Sequence, residues 1–179
     1  MEQSLAHTIA LLERTPAALD GLLRGLPDEW IFTNEGGDTW NSFGVVGHLI
    51  FGEQTDWMPR VKMILQFAGT RAFEPFDRAG HVRQSEGKSL DQLLDEFARL
   101  RAANLAELRA LNLGPKELAL PGRHPGLGSV TLAQLLAAWV GHDLTHLHQV
   151  SRILAHQYRE AAGPWSAYMG VMQCGGHSS

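Results

Sequence analysis

The sequence predicts an all-α protein, most simply an antiparallel four-helix bundle. Long stretches carry apolar residues at helical spacing, and capping boxes open two of them, at Ser89 with Gln92 and at Thr131 with Gln134. Segments rich in Gly, Pro and Asn separate these stretches, and almost nothing reads as a strand. We therefore expect one bundle domain over residues 1–172, with long connections, and a polar tail over residues 173–179.

The first predicted helix runs from about Ser4 to Leu26. Thr15-Pro16 predicts a kink or a break inside it, because Thr can cap a new helical segment and Pro suits its first position. The second helix begins at Asn41 or Ser42 and continues to about Phe67, with a bend caused by Pro59.

The third predicted helix starts at the Ser89 capping box and ends near Leu111. The fourth starts at Thr131 and lasts to about Glu160, where Gly163-Pro164 stops it. A short apolar helix, Trp165 to Met172, follows. The connections over residues 69–87 and 114–129 are expected to be irregular.

Composition and charge exclude several classes of protein. Of the 179 residues, 44% are hydrophobic and 19% charged, which gives enough apolar mass for a core. The formal net charge is −4 without a basic run, so a nucleic-acid partner is disfavoured. The apolar runs are shorter than the roughly 18 residues of a membrane span. The single Cys174 suits a reducing compartment, so we expect a soluble, cytoplasmic protein.

The stretch His142-Asp143-Leu144-Thr145-His146 carries the main chemical signal. Two His at positions i and i+4 lie one turn apart on a helix, so one metal ion can reach both. On a helical wheel centred on Trp139, both His and Asp143 fall on the apolar stripe. A metal ion would satisfy the two imidazoles, and a nearby carboxylate can orient a ligand's second nitrogen.

A competing interpretation makes the two histidines core residues that hydrogen-bond to carbonyl groups or to Asp143. His148 falls on the opposite side of the wheel, beside Arg152 and Arg159, and is expected to be solvated. His156 lies near the helix end, where it would interact with the helix dipole.

A third ligand has to come from another helix. His48 is the obvious candidate, but it lies about 170° from the centre of the apolar arc of its own helix. Glu53, which flanks that arc, competes for the ion on geometric grounds. Spacing alone leaves the choice between His48 and Glu53 open.

The combination of these motifs resembles the DinB-like superfamily. The pattern consists of Trp40, Gly47-His48-Leu49, Glu53 and Trp57, then His142-x3-His146 with Gln149, and finally Gln157-Tyr158 and Gly163-Pro164-Trp165. The resemblance spans nearly the whole chain and implies a four-helix bundle with a three-histidine site for nickel or zinc. It assigns His48, His142 and His146 as metal ligands, leaves Glu53 and Asp143 as outer-shell groups or general bases, and implies a homodimer.

The resemblance also implies chemistry. Three imidazoles leave positions open on a divalent ion, which can acidify a bound water or thiol. We expect an enzyme that acts on a small-molecule substrate, first a transferase that uses a low-molecular-weight thiol, and alternatively a metal-dependent hydrolase. A non-catalytic alternative is a metal that staples two helices, or a protein that senses metal or a small ligand.

Other chemically versatile residues are expected to play ordinary roles. His81 and His124 lie in the long connections, from which a histidine could overhang the site, but we predict surface positions for both. The five Trp residues are expected to fill the core rather than to form a substrate box. Cys174 and His177 form a pair in the tail that is weak support for a second metal site.

Overall fold

The computed structural model describes residues 4–77 and 79–174, which fold as a four-helix bundle with long connections. The four arms of the bundle are α1–α2, α4–α5, α7 and α9. The helices are α1 Leu5–Leu12, α2 Thr15–Leu23, α3 Asp28–Phe32, α4 Ser42–Thr55, α5 Trp57–Phe67, α6 Gly80–Ser85, α7 Leu90–Ala110, α8 Pro115–Leu118, α9 Leu132–Gln157, α10 Arg159–Ala162 and α11 Gly170–Gln173, with a 3-10 helix at Gly163–Tyr168. The predicted fold class with its short C-terminal helix is confirmed, although the segment predicted as that helix, Trp165 to Met172, is divided between the 3-10 helix and α11.

The predicted break in the first arm is present, but Thr15 does not cap α2. Thr15 is the first residue of that helix, and no side chain caps its N-terminus. The hydroxyl of Thr15 instead donates to Asp143 Oδ2 at 2.6 Å. The residue that interrupts the first arm thereby also makes a long-range contact.

The second arm breaks three residues before the proline that causes the break. Asp56, with φ −114°, separates α4 from α5. Pro59 has no N–H to donate to the carbonyl of Thr55, four residues earlier, so the helical hydrogen-bond ladder is interrupted at that point.

Both predicted capping boxes are formed. Ser89 Oγ accepts from the Gln92 N–H at 3.2 Å, and Gln92 Oε1 accepts from the Ser89 N–H at 2.8 Å. Thr131 and Gln134 make the same pair of contacts at the start of α9. These local bonds satisfy N–H groups that have no partner within the helix, and so fix where α7 and α9 begin.

The connections are more regular than predicted. Residues 114–129 contain α8 and most of a hairpin of β1 Pro121–His124 and β2 Gly128–Thr131, with Pro121 opposite Thr131 and His124 opposite Gly128. His124 Nδ1 accepts from the N–H groups of Gly126 and Leu127, both at 3.1 Å, so its side chain stabilises the hairpin turn. Burial lowers the pKa of His124, and Arg60 lowers it further, which favours the neutral imidazole that accepts these bonds.

Helix α6 lies directly on α4, where two glycines permit the close approach. A Cβ on Gly47 would lie 2.4 Å from Ser85 Oγ, and a Cβ on Gly80 would lie 2.3 Å from the Phe51 ring. The other side of α4 faces α7 and α9. Helix α4 is therefore covered on opposite sides, so residues outside its main apolar arc are also buried.

The apolar core consists of two clusters at different levels of the bundle. One contains Leu12, Trp57, Leu105 and Trp139, and the other contains Leu19, Val46, Phe97 and Val150. Among the described residues, no helix has the length and apolar character that crossing a bilayer requires.

Candidate metal centre

Three histidine rings from two arms of the bundle converge on one point. His48 projects from α4, and His142 and His146 project from α9. His142 Nε2 lies 2.9 Å from His48 Nε2 and 3.2 Å from His146 Nε2. Within the part of the chain that the structure describes, these three form the group of ligand atoms that lie within 4.8 Å of one another.

These spacings fit a metal ion. Nitrogens that bind one ion at roughly 2.0–2.1 Å, with angles between 90° and the tetrahedral value, lie about 2.9–3.4 Å apart. The competing interpretation predicts hydrogen bonds from the histidines to carbonyl groups or to Asp143. His142 makes neither among the described residues, because its Nδ1 is buried without a hydrogen-bond partner and Asp143 binds Arg101.

Gln149 orients one of the three rings. Its Oε1 lies 2.8 Å from His146 Nδ1, and because an amide oxygen only accepts, Nδ1 carries the proton. The lone pair of His146 is then on Nε2, which points toward His142 and His48. Gln149 is buried on the same helix, three residues after His146, so local helical geometry supplies this contact.

The surroundings of His142 and His146 favour the neutral imidazole, the form that binds metal. Burial, followed by the positive charge that His146, His48 and Arg101 can carry, lowers the pKa of His142 to about 2. Burial also lowers the pKa of His146, although Gln149 and Asp143 act in the opposite direction. At neutral pH, protons therefore compete only weakly with a metal ion for the imidazoles of His142 and His146.

Aromatic side chains enclose the three histidines. The Trp40 ring lies 4.8 Å from the His48 ring and stacks on His146 at 6.2 Å, and Trp57 meets His142 edge-on at 5.1 Å. Trp57 and Trp139 are buried as predicted, whereas Trp40 lies at the site and Trp165 is 71% exposed. The prediction that the tryptophans fill the core therefore holds for only some of them.

The predicted surface position of His81 is wrong. This residue is 3% exposed, its ring lies 4.7 Å from Trp40, and it meets His48 edge-on at 5.7 Å. His81 comes beside the site because α6, which sequence patterns did not predict, packs on α4. It is not a member of the group of convergent ligand atoms.

Glu53 and Asp143 do not reach into the cluster but bind a buried arginine. Arg101 Nη2 lies 2.8 Å from Glu53 Oε1, and Arg101 Nη1 lies 2.6 Å from Asp143 Oδ2. Each carboxylate accepts further bonds, from Trp139 and Asn104 at Glu53 and from Thr15 at Asp143. This decides the competition for the third place in the cluster: His48 occupies it, and Glu53 pairs with Arg101.

Sequence reasoning missed Arg101, although a signal for it exists. The apolar stripe of α7 contains Leu94, Phe97, Leu105 and Leu108, and Arg101 occupies the stripe between Phe97 and Leu105. A cation at such a position requires a buried partner. Burial opposes the charge of Arg101, but Glu53 and Asp143 outweigh it and raise the pKa of this residue.

The remaining candidates lie apart from the cluster. His148 is exposed as predicted, but Arg152, expected on the same solvated face, is 5% exposed and binds Glu35 with Nη2 to Oε2 at 2.7 Å. His156 is half-buried, Cys174 is exposed, and His177 lies outside the described residues.

A cleft borders the aromatic wall of the site. Its volume is about 450 Å³, and its lining includes Phe32, Trp40, Phe43, His81 and Lys88. Trp40 and His81 belong to both the cleft and the surroundings of His48. The cleft is large enough for a small molecule.

Fold and site together define a class, the helical-bundle proteins with a convergent three-histidine centre. The chain belongs to the DinB superfamily, whose family model matches residues 11–150. Among solved structures, YfiT from Bacillus subtilis is similar in fold, with a TM-score of 0.74 and 23% identity over 89% of this chain and 91% of that chain. That protein is described as a probable metal-dependent hydrolase with an unusual four-helix bundle topology. No curated protein matches the sequence.

Proposed function

We propose that this protein is a divalent-metal-dependent hydrolase of a small molecule, with His48, His142 and His146 as the metal ligands. The observation that carries the proposal is the convergence of three Nε2 atoms at 2.9 and 3.2 Å. The description of YfiT as a probable metal-dependent hydrolase supports the same activity.

The donor set favours a reactive site over a structural one. Structural zinc sites have four protein ligands, often Cys, whereas the group found among the described residues offers three imidazoles. Imidazole donors suit nickel and zinc. When bound, such an ion supplies Lewis-acid chemistry and lowers the pKa of a water or thiol beside it.

The chain's own residues hold and shield this centre. Gln149 fixes the proton of His146 on Nδ1, and Trp40 and Trp57 cover the rings. Glu53 and Asp143 are the candidate general bases, but their oxygens accept hydrogen bonds from Arg101 and its neighbours. We assign both carboxylates to the structure of the site rather than to proton transfer.

The thiol-dependent transferase, the first of the two predicted activities, has weaker support, because YfiT is described as a probable metal-dependent hydrolase. A homodimer, a cytoplasmic location and a particular metal remain predictions.

The experiment that tests the proposal compares the two reactions in one preparation. Protein loaded with zinc or with nickel is assayed for hydrolysis of p-nitrophenyl acetate, and for conjugation of N-acetylcysteine to 1-chloro-2,4-dinitrobenzene, beside His142→Ala. Hydrolysis that requires both metal and His142 supports the proposal. Conjugation with the same two requirements and without hydrolysis would replace it with the transferase, and wild-type protein that takes up neither metal would remove its basis.

A further inference from the structure

A polar layer separates the two apolar clusters, and each of the four arms contributes one residue to it. These residues are Thr15 on α2, Glu53 on α4, Arg101 on α7 and Asp143 on α9. Arg101, Glu53 and Asp143 have side chains that are at most 2% exposed. Along its own arm, each residue of the layer lies between core residues of one cluster and core residues of the other. The layer therefore links all four arms at one level of the bundle.

Arg101 is the centre of this layer, and its donors are shared among three groups. Nη1 donates to Asp143 Oδ2 at 2.6 Å and to the Leu12 carbonyl at 2.7 Å. Nη2 donates to Glu53 Oε1 at 2.8 Å and to Asp143 Oδ1 at 3.0 Å, and Nε donates to Glu53 Oε1 at 3.1 Å. Such a fork of bonds fixes the guanidinium in one plane and holds both carboxylates against it.

The two carboxylates belong to the helices that carry the histidines. Glu53 lies on α4, five residues after His48, and Asp143 directly follows His142 on α9. A contact that fixes Glu53 relative to Asp143 therefore also fixes the separation and rotation of α4 and α9 close to the cluster. Binding of one ion by Nε2 atoms from both helices depends on that separation to a few tenths of an ångström.

We propose that Arg101 is a positioning residue of the metal centre, which sets the distance between His48 and the two histidines of α9 through its bonds to Glu53 and Asp143. This inference rests on the proposed function and specifies how the chain holds the site. One guanidinium against two carboxylates leaves one negative charge in the layer, which favours a cation nearby.

Stability alone is a weak reason for such a network. Well-packed apolar residues in place of a buried ion pair are often neutral or stabilising, because the desolvation of charges offsets their attraction. The layer lies between two apolar clusters that could otherwise be continuous. Because the layer lies next to the segments of α4 and α9 that carry the histidines, its bonds fix these two segments relative to each other. Apolar packing alone would not fix them in this way.

The test measures binding of Co²⁺ alone, by titration and by the visible d–d spectrum, for wild type, Arg101→Lys and Thr15→Val. Lysine keeps the positive charge but cannot hold both carboxylates in a planar fork. Thr15→Val removes one bond to Asp143 and leaves Arg101 in place. Arg152→Lys is the matched control, because Arg152 is another arginine of low exposure, on α9, that pairs with a carboxylate, that of Glu35.

We expect Arg101→Lys to weaken Co²⁺ binding by about 10- to 100-fold and to alter the spectrum. Thr15→Val should weaken Co²⁺ binding by a smaller factor and alter the spectrum less. Arg152→Lys should have the affinity and the spectrum of wild type. If circular dichroism shows that Arg101→Lys does not fold, the result for Thr15→Val decides whether the inference holds.

Wild-type affinity and spectrum in the deciding variant would overturn the inference, and so would an equal change in Arg152→Lys. If wild type itself takes up no Co²⁺, zinc or nickel, the proposed function fails first. The two failures are thereby distinguished.

Discussion

His48 Nε2 and His142 Nε2 lie 2.9 Å apart, although 94 residues separate them in the chain. The contact joins α4 to α9 across the bundle. Two imidazoles at this distance, with a third Nε2 at 3.2 Å from the second, form a donor set that a single divalent ion can bind.

Replacing any of the three histidines with Ala should remove the metal, because two imidazoles bind a divalent ion far more weakly than three. We expect near-stoichiometric zinc or nickel in wild type and almost none in His48→Ala, His142→Ala and His146→Ala, measured by inductively coupled plasma mass spectrometry. The control is His148→Ala, an exposed residue of the same helix. Retention of metal by a ligand variant, or its loss from His148→Ala, would contradict the assignment.

Gln149 should matter for metal affinity through its hydrogen bond to His146. Gln149→Leu removes the acceptor that holds the proton on Nδ1, and we expect zinc affinity to fall by about 10- to 100-fold. Gln149→Glu keeps an oxygen acceptor in nearly the same place and should retain most of the affinity. A competition titration with a zinc chelator measures both. Equal affinity for the Leu and Glu variants would show that the contact does not orient the ring.

The metal-free protein should lose stability on acidification. The ordinary pKa of a histidine is 6.5, and burial lowers that of His142 to about 2 and also lowers that of His146. Below pH 6.5 the unfolded chain binds protons at these positions more readily than the folded chain does. The free energy of unfolding therefore has its full value above that pH and decreases as the pH falls below it. For His142 the slope reaches roughly 1.4 kcal/mol per pH unit, and His146 adds to it in the same direction.

Urea unfolding of EDTA-treated protein at several pH values between neutral and mildly acidic measures this slope. His142→Gln has no titrating group at this position. It should therefore reduce the pH dependence of the free energy of unfolding by about the contribution of one proton. An unchanged slope in that variant would show that the His142 pKa is not depressed in the folded protein.

The contact between α6 and α4 should be sensitive to one methyl group. A Cβ on Gly80 would overlap the Phe51 ring at 2.3 Å, so Gly80→Ala should destabilise the fold by about 1–3 kcal/mol and displace His81 from Trp40. Gly21→Ala is the control, because Gly21 is an exposed residue of α2 and an added Cβ would meet nothing within 4 Å. That variant should gain up to about 1 kcal/mol. Thermal unfolding that ranks the two variants in the opposite order would refute the close packing.

Local sequence signals predicted the helices that begin at capping boxes and failed where an element depends on distant partners. The starts of α7 and α9 are specified by Ser89, Gln92, Thr131 and Gln134 within single turns. Helix α6 and the β1–β2 hairpin were not predicted. Helix α6 is short, and its close packing on α4 depends on the absence of a side chain at Gly47. In the hairpin, Gly122 packs closely against Ile64 and Phe73.

The sequence by itself determined that His142 and His146 share one face of a helix, because the period of the α-helix is fixed by hydrogen bonds between residues four apart. Helical spacing could not choose between His48 and Glu53, since the apolar arc of α4 points away from His48, and only the family resemblance favoured His48. The tertiary structure decided this, because α6 covers one side of α4 while α7 and α9 cover the other, and both sides become interior. The tertiary structure also determined the partners of Arg101, because Glu53 and Asp143 lie on other helices. The rotation of one helix against another depends on packing between residues far apart in the chain, and the spacing within a single helix contains no information about it.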